Sequence, residues 1–183
     1  MQKTLDSILE DASDYVESEF KLNLEKSELK IYSPENWRLF CEANHFQEEA
    51  SGLYVPDSYS AYVKSDNSFL VQNIFHELYG HGLFCEHSDI GKKYVSSDDK
   101  KSFLYNLLKE PRYGFFDRNV HNYEAFAVWI EGLLSQEIDS AEAWNAKKLV
   151  MPNYYHQLLE YMNSIEKELS REDLMMQMGF YQD

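Results

Sequence analysis

The chain has 183 residues, of which 44% are hydrophobic and 15% aromatic, enough for one domain with a buried core and a cleft. Its 17 basic residues against 32 acidic ones leave a formal charge of −15, which repels nucleic acid and anionic membrane surfaces and suits neutral or basic partners. No apolar run approaches the roughly 18 residues of a membrane span, and Lys3 and Asp6 stand where a signal peptide would be apolar. The expectation is a cytoplasmic protein with Cys41 and Cys85 as thiols.

Leu5, Ile8, Leu9, Ala12, Tyr15 and Val16 keep helical spacing and predict a first helix with one buried face. Leu29 to Tyr32 alternates as a short strand. Ser33-Pro34 then supplies a cap and a first helical position for a helix through Trp37, Phe40 and Cys41. Leu53-Tyr54-Val55 and Tyr59 to Val63, separated by Pro56-Asp57-Ser58, read as a hairpin. Leu70, Val71, Ile74, Phe75 and Leu78 then mark an amphipathic helix, with Asp66 or Ser68 as its cap.

That helix runs into Phe75-His76-Glu77-Leu78-Tyr79-Gly80-His81-Gly82, two imidazoles with an acid beside the first. Histidines four apart share one face of an α-helix, but these are five apart and would splay by roughly 140°. A one-residue π-bulge, for which Gly80 is well placed, brings both to one ion. A catalytic zinc needs three protein ligands and an open position for water, with an acid at hand to take the water proton. The segment is read as the metal-binding helix of a zinc hydrolase with Glu77 as general base.

His-Glu-Leu-Tyr-Gly-His-Gly resembles the His-Glu-Leu-Leu-Gly-His-Gly segment of the dipeptidyl peptidase III metallopeptidases, of the glutamate-zincin class, with six of seven positions alike. The resemblance implies that His76 and His81 bind zinc, that Glu77 is the base and that the fold is zincin-like. It covers little of the chain, and the family's Glu-Glu-Cys-Arg-Ala-Glu motif is not reproduced in full. In many zinc peptidases an edge strand beside the metal helix binds substrate by β-augmentation, and Leu53 to Val63 is the candidate.

Past the motif, Glu86 to Lys101 reads as irregular, Phe103 to Leu108 as a helix ended by Pro111, and Arg112 to Arg118 as an aromatic and basic loop. Asp117 or Asn119 caps a helix from Val120 to Leu134 in which Glu124 and Glu131 are the only polar residues after Asn122. Glu124 and His87 compete as third ligand. His87 would imitate a three-histidine pattern, but the glycine that pattern needs is Phe84 here. Glu124 lies 43 residues after His81, where a glutamate-zincin supplies its third ligand, and no Lys or Arg occurs from Asn119 to Ala146 to neutralise it. The expected ligand is therefore Glu124. Where many relatives carry an acid one turn on, this chain has Val128, leaving Glu131 to orient a histidine.

Ala141 to Val150 is a further helix, Pro152 opens a last long one, and residues 171–183 read as a frayed tail. In glutamate-zincins a downstream His or Tyr donates to the oxyanion of the scissile carbonyl. His156, then Tyr155, are the candidates. Together these readings give a mostly helical α+β single domain, residues 1–183, with a small sheet beside the metal helix. The expected function is zinc-dependent hydrolysis of a peptide or protein substrate. The alternatives are a catalytically silent metal-binding or interaction module on that fold and a zinc hydrolase of non-peptide amides.

Overall fold

A computed structural model describes residues 3–96 and 118–181. The helix expected at 103–108, its stop at Pro111, the loop that follows and the Asp117 cap lie outside the described residues. Thr4 caps α1 (Leu5–Phe20) by accepting the Ser7 N–H, and Ile8, Ala12, Val16 and Phe20, four apart, form its buried stripe. Ser33 does the same for α2 (Pro34–Asn44), accepting from Asn36.

Three strands make one small mixed sheet in the order β1-β3-β2. The expected hairpin is β2 (Gly52–Val55) and β3 (Ser60–Lys64), antiparallel, joined by the single turn Pro56–Ser58. β1 (Glu28–Tyr32) pairs parallel with β3, Leu29 opposite Ala61 and Ile31 opposite Val63. Ala61 and Val63 are wholly buried on the face that meets the metal-motif helix.

That helix, α3, is one continuous rod of three stretches: Leu70–Ile74, a π-helical turn at Phe75–His81, and Gly82–His87. Neither Asp66 nor Ser68 caps it. Phe69 is the N-cap and has no side-chain cap; Asn67 instead shapes the turn ahead of it, its Oδ1 accepting the Phe69 N–H at 2.7 Å. α5 (Arg118–Leu134) lies against the π turn and continues into a second π turn, Ser135–Asp139. From Ala125 to Glu131 every residue is buried. α6 (Ala141–Val150) and α7 (Asn153–Glu168) follow, the latter burying Leu158 and Met162.

Two expectations are corrected. The stretch after the motif is helical as far as Ser96: α3 runs to His87, and Ser88 then opens α4 (Asp89–Ser96), its hydroxyl accepting the Gly91 N–H. That short helix has only Ile90, Tyr94 and Val95 to pack, too few for a visible period. The supposed tail is also built in. Ser170 caps α8 (Arg171–Gln177), Leu174, Met175 and Met178 are buried, and Phe180 packs between Phe84 and Phe126 with ring centroids 5.8 and 4.8 Å away. Fully burying an apolar side chain of this size contributes about 1.5–3 kcal/mol, and the gain belongs to the tertiary assembly, so it leaves no local pattern. The chain is thus mostly helical with a small mixed sheet, and no described helix is long and apolar enough to cross a membrane.

Candidate metal centre

A π turn closes hydrogen bonds five residues apart, so residues five apart come to lie above one another. Through Phe75–His81 this stacks His76 and His81, whose rings meet at right angles with centroids 4.8 Å apart. The π turn spreads over Phe75–His81 and absorbs one extra residue, the bulge that the spacing predicts. Gly80 is not the hinge: Gly179 is the only glycine with positive φ among the described residues. Its missing side chain instead lets two helices touch, since a Cβ there would stand 2.6 Å from the Cα of Ala127 on α5.

That close approach brings Glu124 over the two rings. Its Oε2 is 3.5 Å from His76 Nε2 and its Oε1 3.7 Å from His81 Nε2. These separations are long for N–H···O bonds, whereas two donors each about 2.0–2.2 Å from one tetrahedral ion stand roughly 3.3–3.6 Å apart. Ligand atoms of the three residues all lie within 4.8 Å of one another, and among the described residues this is the one group of histidine, cysteine and acidic side chains so placed. Glu124 Oε2 and His81 Nδ1 are buried without a hydrogen-bond partner, and no described Lys or Arg forms an ion pair with Glu124. The three residues fit a small divalent cation.

Glu77 follows His76 directly, its Oε2 4.0 Å from His81 Nε2. It stands against β2 at the one residue that leaves room for it, because a Cβ on Gly52 would meet Glu77 Cγ at 2.8 Å. Burial pushes its carboxyl up to about 7.

The histidines are held in different ways. His76 Nδ1 bonds Glu131 Oε2 at 3.0 Å, which leaves Nε2 facing Glu124. Glu131 is 1% exposed and takes Lys147 of α6 on its other oxygen, and Lys147 also donates to Asn73 Oδ1 at 2.7 Å. Burial works against charge on His76, but the Glu124 and Glu131 carboxylates outweigh it and push the ring up to about 10. His81 lies face to face with Tyr123, centroids 3.8 Å apart at 16°, and burial brings it down to about 3. Glu124 is held below the usual carboxylate range: burial opposes this, but the His81 and His76 rings and a hydrogen bond from Tyr155 prevail.

Tyr155 packs edge-on against His76 at 5.6 Å, and the charge of Glu124 together with burial drives its phenol well above the ordinary range. His156, the first-ranked candidate, is not brought to the site. One residue along α7 turns a side chain by about 100°, so Tyr155 lines both cavities beside the metal group and His156 lines neither. His87 Nε2 bonds the Asn23 carbonyl at 2.6 Å, away from the group. Cys85 is wholly buried, its thiol pushed up by burial.

Two cavities of about 380 and 340 Å³ share Ala50, Gly52, His76, Glu77 and Tyr155. The second reaches His81, Glu124 and an aromatic wall of Trp37, Phe46, Tyr54 and Tyr123, and the first reaches Lys147. Sequence reasoning missed Lys147 and Tyr123. The signal for the lysine was available: it ends the cation-free run that singled out Glu124. Tyr123 left no signal beyond its place next to Glu124. Compared with known proteins, the chain matches no protein-family profile, no curated sequence and no solved structure.

Proposed function

We propose that the chain is a zinc-dependent peptidase whose ion is held by His76, His81 and Glu124. The observation that carries the reading is the convergence of those three side chains, with Glu77 beside them in a cleft. Two imidazoles and one carboxylate make a donor set that suits zinc and leaves a fourth position open, as a catalytic site requires. Bound there, zinc supplies a Lewis acid and lowers the pKa of a coordinated water towards neutrality.

The protein's own residues do the rest. Glu77, with its carboxyl near 7, is poised to take a proton from the attacking water and return it to the departing amine nitrogen. Tyr155, at the junction of the two cavities, turns the O–H that it gives to Glu124 in the free protein towards the oxygen of the scissile carbonyl and donates a hydrogen bond to it as charge develops there. Glu131 fixes the tautomer and orientation of His76, and the zincin-like arrangement of an edge strand beside a metal helix is supplied by β2 next to Glu77. On this reading the protein works in the cytoplasm, where the buried thiols of Cys41 and Cys85 stay reduced.

Elemental analysis and digestion of a mixed peptide library test the proposal together. About one zinc per chain and peptide cleavage are expected, with Glu77→Gln keeping the metal and losing activity by roughly 10²–10⁴-fold. Undiminished turnover by Glu77→Gln refutes the role of Glu77. Zinc without turnover of any peptide identifies the silent metal-binding module instead, and turnover confined to non-peptide amides identifies the third reading.

A further inference from the structure

The cavity on the Glu131 side has a polar end and an apolar lip. Lys147 is the one Lys or Arg that lines either cavity among the described residues, in a chain whose net charge is −15. Its side chain is 14% exposed, and its ammonium has three N–H donors, of which Asn73 Oδ1 takes one while Glu131 faces it as an ion-pair partner. Because an ammonium only donates, the oxygen of the Asn73 amide must face it, and the Nδ2 end is turned elsewhere. That Nδ2 is buried, on a residue 8% exposed, and meets no acceptor. Lys147 and Asn73 both line this cavity, so spare ammonium protons and an orphaned amide donor belong to two bonded side chains of one wall. Glu131 does not use up the lysine's charge, since its own is shared with His76.

Phe69, Val150, Met151 and Pro152 line the same cavity, Val150 one helical turn beyond Lys147 and 69% exposed at the rim. We propose that this cavity binds the free C-terminal carboxylate of a peptide between Lys147 and Asn73, with an apolar last side chain against the Val150–Met151 lip. The inference rests on the peptidase reading and gives it a substrate class: peptides cut close to a free carboxyl end with an apolar terminal residue. The closeness follows from Glu131, whose single carboxylate touches both Lys147 and His76. At about 3.3–3.6 Å per extended residue, only one or two residues fit between the carboxylate and the bond cut.

The test uses two hexapeptides of one sequence ending in leucine, one with a free carboxylate and one amidated. Each is titrated calorimetrically into zinc-loaded Glu77→Gln protein, in which the peptide stays intact. The free acid is expected to bind about ten- to hundredfold more tightly, the range of a hydrogen-bonded charge. Lys147→Met brings the pair within about twofold, with zinc content unchanged. Should Lys147→Met fail to fold for want of a partner for Glu131, Asn73→Ala decides, and its preference for the acid falls at least about threefold. Equal affinity for the two peptides overturns the proposal. So does absence of binding by either at millimolar concentration, or a preference that survives in both variants, which would put the carboxylate on the zinc. Failure of the peptidase reading looks different: the wild type cleaves nothing while the preference for the acid and its dependence on Lys147 remain.

Discussion

His76 and His81 sit on one turn of one helix and face the same carboxylate, yet one side of the site is polar and the other aromatic. Around His76 a connected chain of groups, Glu131, Lys147 and Asn73, fixes the ring by hydrogen bonds and favours its charge. Around His81 the ring is fixed by stacking on Tyr123, its Nδ1 has no partner, and charge is disfavoured. The same residue type is thus pushed up to about 10 in one place and down to about 3 in the other, by surroundings alone. Two neighbouring histidines of one site need not be oriented by the same means. A buried polar network gives direction at the cost of holding a proton that a metal must displace, and an aromatic wall gives a ready neutral ring with looser aim.

The largest effect that sharpens this contrast comes from the ligands themselves. His76→Ala and His81→Ala should each abolish stoichiometric zinc, measured by elemental analysis, because each removes a coordinating nitrogen. Stoichiometric metal surviving the double substitution would sink the site. One step outward the two sides should part. Glu131→Gln is expected to weaken zinc affinity by about 10–100-fold in a competition titration with a chelator, whereas Tyr123→Leu, which breaks no hydrogen bond among the described residues, should cost less than about tenfold. Equal losses would erase the difference between the two sides.

A smaller effect tests the protonation. In the metal-free protein the folded His76 pKa lies near 10, above the 6.5 of the unfolded chain, so its contribution to stability is complete below pH 6.5 and is lost as pH rises towards 10. Glu77, raised to about 7, has the same sign in a lower window, from 4.5 to 7, and His81, lowered to about 3, the opposite sign below 6.5. Between pH 7 and 10 only His76 acts among the three. The melting temperature of metal-free protein should therefore fall across that interval, and zinc, which holds the ring deprotonated, should flatten the slope. A flat profile without metal would mean that His76 carries no proton at neutral pH.

The polar side was partly legible in the sequence because acids on an apolar helix are conspicuous: Glu124 and Glu131 stand out between Tyr123 and Leu134, and a buried carboxylate needs a partner. The helix that meets them was legible from its apolar period and the spacing of its histidines. The aromatic side was not, since Tyr123 and Tyr54 look like any core residue until the helices are packed. Tyr155 and His156 show the limit most sharply. Both were read as candidates, and which of two adjacent side chains enters a cleft depends on the rotation of α7 about its axis, which packing sets. Lys147 was marked only as the end of the cation-free run, and its role was hidden because its partners Glu131 and Asn73 lie 16 and 74 residues away in the chain. The buried C-terminal residues escaped because short apolar clusters carry no period of their own.

The π turn carries a consequence for the rest of α3. It absorbs one more residue between the histidines than a four-residue spacing would, so the stretch after it is set about 100° less far round the axis than an unbroken α-helix of the same residues would place it. Glu86 lies in that rotated stretch, and its carboxylate receives the backbone N–H groups of Glu25, Lys26 and Ser27 at 2.8, 3.1 and 2.8 Å, clasping the strand-entry loop ahead of β1. Regularising Phe75–His81 to an α-helix without removing a residue would swing this clasp off its loop and part the two histidines together. The odd spacing of the histidines is therefore an indel in phase with two tasks at once, and a search keyed to the regular repeat would pass over the chain for the same reason that its sheet stays anchored.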